Sequence, residues 1–163
     1  MKYHPVVEKI KNLLEQNSCW FEAFEHEPVR TSEQAAKTRP GYTPSQGAKA
    51  IIVRAKEPGK GKRFVMLVLQ GDKRFDQEKI KRQFNLGDIR FATEDEVKEL
   101  TDGVLPGGVP PFGNLFNLEV IVDNDLLRNE KIVFNAGDRS CSIAMKSEDY
   151  IGLVNPKIGD IIQ

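Results

Sequence analysis

Cysteine, histidine and tryptophan are scarce in this sequence: two cysteines (Cys19, Cys141), two histidines (His4, His26) and one tryptophan (Trp20) among 163 residues. Two isolated thiols make no disulfide framework. Neither histidine has a His or Cys at ligand spacing, so no zinc pattern and no metal site is expected. Long apolar runs are missing too, and nothing approaches the ~20 residues of a membrane span. Residues 1–10 mix charge with apolar side chains and lack a signal-peptide core, so the expected compartment is the cytoplasm. Charge of one sign is absent: 24 Lys and Arg balance 24 Asp and Glu. Dedicated nucleic-acid binders are usually basic, so tight, indiscriminate RNA binding is not expected, while weak or partner-assisted contact stays open. There is no nucleophile elbow for Ser-His-Asp hydrolysis. The stretch Gly59-Lys60-Gly61-Lys62 has the wrong spacing for a phosphate loop and reads as a solvated hairpin tip.

What is present suits one globular domain spanning 1–163. Pro5 opens a helix whose apolar stripe is Val6, Val7, Ile10, Leu13 and Leu14, with Asn17 and Ser18 ending it. Trp20, Phe21 and Phe24 read as a short strand. Thr31 and Gln34 form a capping box for a short helix through Ala35, Ala36 and Lys37, followed by a Pro/Gly loop from Arg39 to Pro44. Strands are expected over 48–55, 64–69, 118–122, 131–135 and 140–145. Helices are expected after Asp76, with Phe75 and Ile80 as a hydrophobic staple, and after Thr93, whose capping partner is Glu96. Ser147 is placed to cap a last short helix through Tyr150 and Leu153. Strands and helices interleave without a strict βαβ rhythm. The expected class is therefore α+β, a mixed, barrel-like curved sheet with peripheral helices.

Three segments could carry chemistry. Lys49 shares a strand face with Ile51 and Val53, and an ammonium there needs water, a partner or a polar cavity. It is either a snorkelling strand-end lysine or a donor aimed into a pocket. Gly107-Gly108-Val109-Pro110-Pro111-Phe112-Gly113 combines exposed backbone N–H groups with stiffening prolines. It is either an ordinary turn or a holder of donors for a developing oxyanion. Phe134-Asn135-Ala136-Gly137-Asp138-Arg139-Ser140 is a strand running into a turn. His26, beside Glu27 and Pro28, reads from pattern alone as a strand-end surface residue.

Taken in order, Phe24-Glu25-His26, Thr31 to Ala36, Gly47-Ala48-Lys49, Gly107 to Gly113, and Phe134 to Gly137 with Ser142-Ile143 resemble the YbaK/prolyl-tRNA-synthetase-associated editing family over nearly the whole chain. The resemblance implies hydrolysis of the ester of a mischarged small amino acid on tRNA, with no metal, no cofactor and no covalent enzyme intermediate. It implies a site in which Lys49 holds the aminoacyl end or its 3′-terminal adenosine, and Gly107, Gly108 and Pro111 belong to the loop whose backbone orients the scissile carbonyl. Phe24, His26, Val109, Pro110, Phe112, Asn135, Gly137 and Ser142 then line the substrate. The expected partner is mischarged aminoacyl-tRNA, with a synthetase partner left open; DNA and membranes are not expected partners. No appended synthetase segment is recognisable, which suggests a free-standing, trans-editing deacylase. Members acting on Cys-tRNA carry a Tyr where Phe24 stands and an Asp where Ser142 stands, so poor activity on Cys-tRNA is expected. With no base placed beside Cys19 or Cys141, the ribose hydroxyl next to the ester is expected to assist, while Gly107 and Gly108 amides face the carbonyl. Two rivals remain open: a non-catalytic aminoacyl- or nucleotide-binding module, and a hydrolase of a small ester not on tRNA.

Overall fold

The structure is a computed structural model describing residues 3–28 and 39–163. The helix expected from Thr31 and Gln34 lies outside the described residues. Helix α1 (Val6–Gln16) buries Val6, Val7, Ile10 and Leu14. Strand β1 (Phe21–Glu25) follows. Strands β2 (Ala48–Glu57) and β3 (Gly61–Gln70) form a hairpin in register Ala48↔Gln70 to Glu57↔Gly61. Pairing runs further into the turn than the apolar pattern reaches, and the Arg63–Glu57 ion pair at 3.1 Å holds that end.

Asp76 caps α2 (Gln77–Phe84), its carboxylate accepting from the Glu78 and Lys79 amides. Thr93 and Glu96 cap α3 (Glu94–Thr101) reciprocally. Between them lies β4 (Gly87–Phe91), which the apolar pattern misses because Ile89 is its one buried residue. Strands β5 (Glu119–Asp123), β6 (Lys131–Asp138) and β7 (Cys141–Lys146) precede α4 (Ser147–Val154) and the short β8 (Lys157–Gly159). Ser147 is the first residue of α4 rather than its cap, and its hydroxyl donates to the Asn129 carbonyl at 2.5 Å instead.

The class is α+β, but the strands do not close into a barrel. Among the described residues they form a three-stranded antiparallel sheet, β1-β7-β6, and a five-stranded mixed sheet, β4-β2-β3-β5-β8. A single bridge between Gly47 and Val133 joins the two at one corner. Side chains of β3 are buried on both faces, hence the continuous apolar run. Met66 and Val68 enter a core with α1, Phe112 and Phe134, while Val65, Leu67 and Leu69 enter a second core with Ile80, Leu86 and Ile121. No helix among the described residues is long and apolar enough to cross a membrane.

Candidate active site

Strands β1, β7 and β6 place three side chains in a row. Phe24 lies opposite Ser142, and Ser142 opposite Asn135, so all three project from one face. The other face carries Phe134 and Ile143 into the first core. Just beyond Asn135 the register slips, leaving Ala136 and Gly137 as extra residues in β6. This bulge bends the strand where the Gly/Pro loop meets it. Gly137 has φ +125, and a Cβ there would lie 2.3 Å from Val6 Cγ1. Its role is to let α1 lie against β6, so its expected substrate contact has no support in this packing.

Arg39 sits at the centre of the row. It is only 5% exposed, and its Nε donates to Ser142 Oγ at 3.0 Å while Nη2 donates to Asn135 Oδ1 at 2.9 Å. Burial lowers its pKa to about 10, so it remains a cation at neutral pH. Asn135 then donates through Nδ2 to the Gly107 carbonyl at 2.6 Å. The orientation of the Asn135 amide follows from these two partners, one a donor and one an acceptor.

His26 is not a bare surface residue. Its Nδ1 lies 2.8 Å from the Glu27 carbonyl, which can only accept, so Nδ1 carries a proton. Nε2 lies 2.8 Å from Ser142 Oγ, whose hydroxyl is also within 3.3 Å of Asn135 Oδ1. This is the spacing of a nucleophile and its base. Ser142, however, is fully buried and also accepts from Arg39, so no ester carbon reaches its oxygen. The pair orders the site floor. Phe24 packs edge-on against Tyr42, ring centres 5.8 Å apart, and Tyr42 donates to Glu22 at 2.7 Å.

The Gly/Pro loop is fixed from several sides. Gly107 is exposed with φ +88, and a Cβ there would lie 2.8 Å from Arg139 Nε. Arg139 donates through Nε and Nη2 to the Pro106 carbonyl at 3.1 and 2.6 Å. Tyr150 donates to the Pro111 carbonyl at 2.6 Å. Phe112 is fully buried between Phe134 and Tyr150, and Val109 and Pro110 are buried too. These three residues act as packing that sets the loop's shape. The Gly108 amide donates to the Leu105 carbonyl at 3.0 Å, so it does not face a ligand as expected. Gly107 keeps an N–H with no hydrogen-bond partner among the described residues.

Lys49 stands apart. Its side chain leaves β2 on the face of Ile51 and Val53, toward the second core, whereas Val109 and Phe112 belong to the first. The half-buried ammonium donates to the carbonyls of Gly71, at 3.4 Å, and Lys73. It lines a cavity of about 750 Å³ with Ile51, Arg74, Phe75, Phe91 and Gln163. Burial lowers its pKa, with Asp72 opposing and Arg74 adding to the shift. Among the described residues no hydrogen bond connects Lys49 to the Gly/Pro loop, Asn135 or Ser142.

Cys141 is buried, which raises its thiol pKa, and Cys19 is half-buried. No cluster of three His, Cys, Asp or Glu side chains able to hold a metal occurs among the described residues.

Residues 26–153 match the family model of the aminoacyl-tRNA editing domain. The chain belongs to this family. It is 32% identical to the multifunctional Ser/Thr-tRNA deacylase ProXp-y of Escherichia coli K12, over 90% of this chain and 86% of that one. It is also 32% identical to the proline–tRNA ligase of Aquifex aeolicus, over 69% of this chain and 19% of the ligase. A crystal structure of a candidate trans-editing enzyme for prolyl tRNA synthetase superimposes with TM-score 0.81 at 25% identity, covering 99% of each chain. Within this editing-domain fold, sequence reading missed Arg39 and Tyr42, which lay in what read as a Pro/Gly loop. The available signal was a guanidinium and an aromatic ring in a segment between two strands, with no periodicity to place them.

Proposed function

We propose that this chain is an aminoacyl-tRNA deacylase that removes a small amino acid esterified to the wrong tRNA. The observation that carries the reading is the editing-domain match over 26–153, together with 32% identity to a Ser/Thr-tRNA deacylase across 90% of the chain. Serine and threonine are the first substrates to test, because the floor of the site is polar. His26, Asn135 and Arg39 offer donors and acceptors that a hydroxyl side chain would use.

An aminoacyl ester is labile, so positioning and a few electrostatic contacts suffice. Water adds to the carbonyl carbon and loses a proton, and the carbonyl oxygen takes the negative charge. Collapse reforms the C=O bond and expels the ribose oxygen, which takes up a proton. The products are the free amino acid and tRNA with a free terminal hydroxyl. The neighbouring ribose hydroxyl orients the water, and the exposed Gly107 amide is the loop donor that faces the carbonyl. Phe24 and Tyr42 wall the amino-acid side. Lys49, with Arg74 beside it, contacts the RNA end rather than the ester. Zero formal net charge favours recognition of the tRNA body that is weak or shared with a synthetase.

A panel of mischarged tRNAs and the matching aminoacyl-adenosines tests the reading. Faster release of serine, threonine or alanine from tRNA than from the adenosine supports it. Equal rates on both would make the chain a hydrolase of small esters, and binding without release would make it a sensing module.

A further inference from the structure

The Gly/Pro loop leaves one problem. The Gly108 amide is taken by Leu105, and Pro110 and Pro111 have no N–H, so the loop alone offers few donors to a developing oxyanion. Meanwhile a whole positive charge is buried next to it. Arg39 is 5% exposed, yet its partners are a hydroxyl and an amide oxygen, both neutral. Among the described residues it forms no ion pair.

A buried cation without a counter-ion is costly, and a desolvated charge beside such a loop is a candidate functional group. A guanidinium carries five N–H donors, of which these two bonds use two. Nη1 donates to no described residue. It lies beside Gly47, where a Cβ would come within 3.7 Å of it. Asn135 bridges the guanidinium and Gly107, bonded to Arg39 on one side and to the Gly107 carbonyl on the other.

We infer that Arg39 is a catalytic residue of this site: its Nη1 edge, with the Gly107 amide, receives the negative charge that forms on the ester carbonyl oxygen. The inference rests on the deacylase reading. Burial serves the role, because charge stabilisation strengthens away from water and the donors are already in place. Ser142 and Asn135 hold the guanidinium plane, and His26 holds Ser142.

The test uses Arg39→Lys and Arg39→Gln in the whole chain, with a wild-type substrate found in the panel. Thermal melts establish that each variant is folded. The expected result is a fall in kcat of about 10²–10³ for Arg39→Gln, with KM for the tRNA changed less than about threefold. Arg39→Lys keeps part of the rate near neutral pH and loses it as the pH rises, because a buried ammonium deprotonates more readily than a guanidinium. An unchanged kcat overturns the inference. So does a loss confined to KM, which would assign the guanidinium to a phosphate of the tRNA end. If neither variant folds, the wild-type chain decides. A tetrahedral aminoacyl-phosphonate of adenosine should bind more than about 100-fold tighter than the neutral carboxamide analogue, and equal affinities overturn the inference. An inactive wild type would sink the deacylase reading itself, whereas an active wild type with an equally active Arg39→Gln sinks only the role of Arg39.

Discussion

Asn135 donates to the Gly107 carbonyl at 2.6 Å, tying the bulged strand β6 directly to the glycine that opens the Gly/Pro loop. The same amide accepts from Arg39 at 2.9 Å. One side chain therefore sets both the backbone of the loop and the plane of the guanidinium.

That double role separates activity from stability in Asn135→Asp. A carboxylate would give Arg39 a counter-ion, which it lacks among the described residues, and deprive Gly107 of its donor. Stability in urea should hold or rise, since an ion pair replaces a hydrogen bond from the same cation to a neutral amide. Deacylation should fall by about 100-fold, through the displaced loop and the neutralised guanidinium. A variant both stable and fully active would show that neither link matters.

Lys49→Ala tests the separation of the Lys49 cavity from the Gly/Pro loop. The lysine is bonded to the carbonyls of Gly71 and Lys73 and lines the cavity with Phe75 and Phe91. If it contacts the RNA end, the loss of a charge-assisted contact, about 1.5–3 kcal/mol, should appear in KM for tRNA. Activity on a short aminoacyl-adenosine should change little. A fall in kcat on both substrates would bring Lys49 back to the ester.

Gly137→Ala should destabilise the fold without touching the chemistry directly. The new methyl would meet Val6 Cγ1 at 2.3 Å, and φ of +125 disfavours any side chain. Overpacking of this kind costs about 1–3 kcal/mol, to be read from urea unfolding. Trimming the neighbour, in the pair Gly137→Ala with Val6→Ala, should recover part of the loss. No recovery would mean that the backbone rather than the contact is responsible.

Glu96 predicts an acid limb of stability. Its carboxylate accepts from Arg90 and from the Thr93 amide, which hold its pKa at about 2 against an ordinary 4.5. Because the folded value is the lower one, the stabilisation is fully present above 4.5 and disappears as the pH falls toward 2. Wild type and Glu96→Gln should therefore differ in stability at pH 6 and converge in acid. A difference that persists unchanged at pH 2 would contradict the assignment.

Local chemistry made much of this legible in the sequence. Capping side chains at Asp76 and at Thr93 with Glu96 mark helix starts by their own hydrogen bonds. The apolar stripe of α1 and the runs of β2 and β3 follow their periods, so their burial was readable. Strands β4 and β8 were not, because each is held mainly by pairing to a neighbour distant in sequence. The same limit applies to the site. Arg39 and Ser142 are separated by 103 positions, and His26 and Ser142 by 116, so no local pattern announces either contact. A glycine-rich loop suggests free amides, but which amide is free depends on the turn it adopts. Gly108 illustrates this, with its N–H closed onto Leu105.

The most direct test of the account is single-turnover release of free serine from seryl-tRNA, with protein in excess over RNA. The account predicts release that accelerates with protein concentration to a plateau well above the spontaneous rate, and that slows sharply when the terminal ribose lacks its free hydroxyl. Release at the spontaneous rate for seryl-, threonyl- and alanyl-tRNA alike, from folded protein, would contradict it.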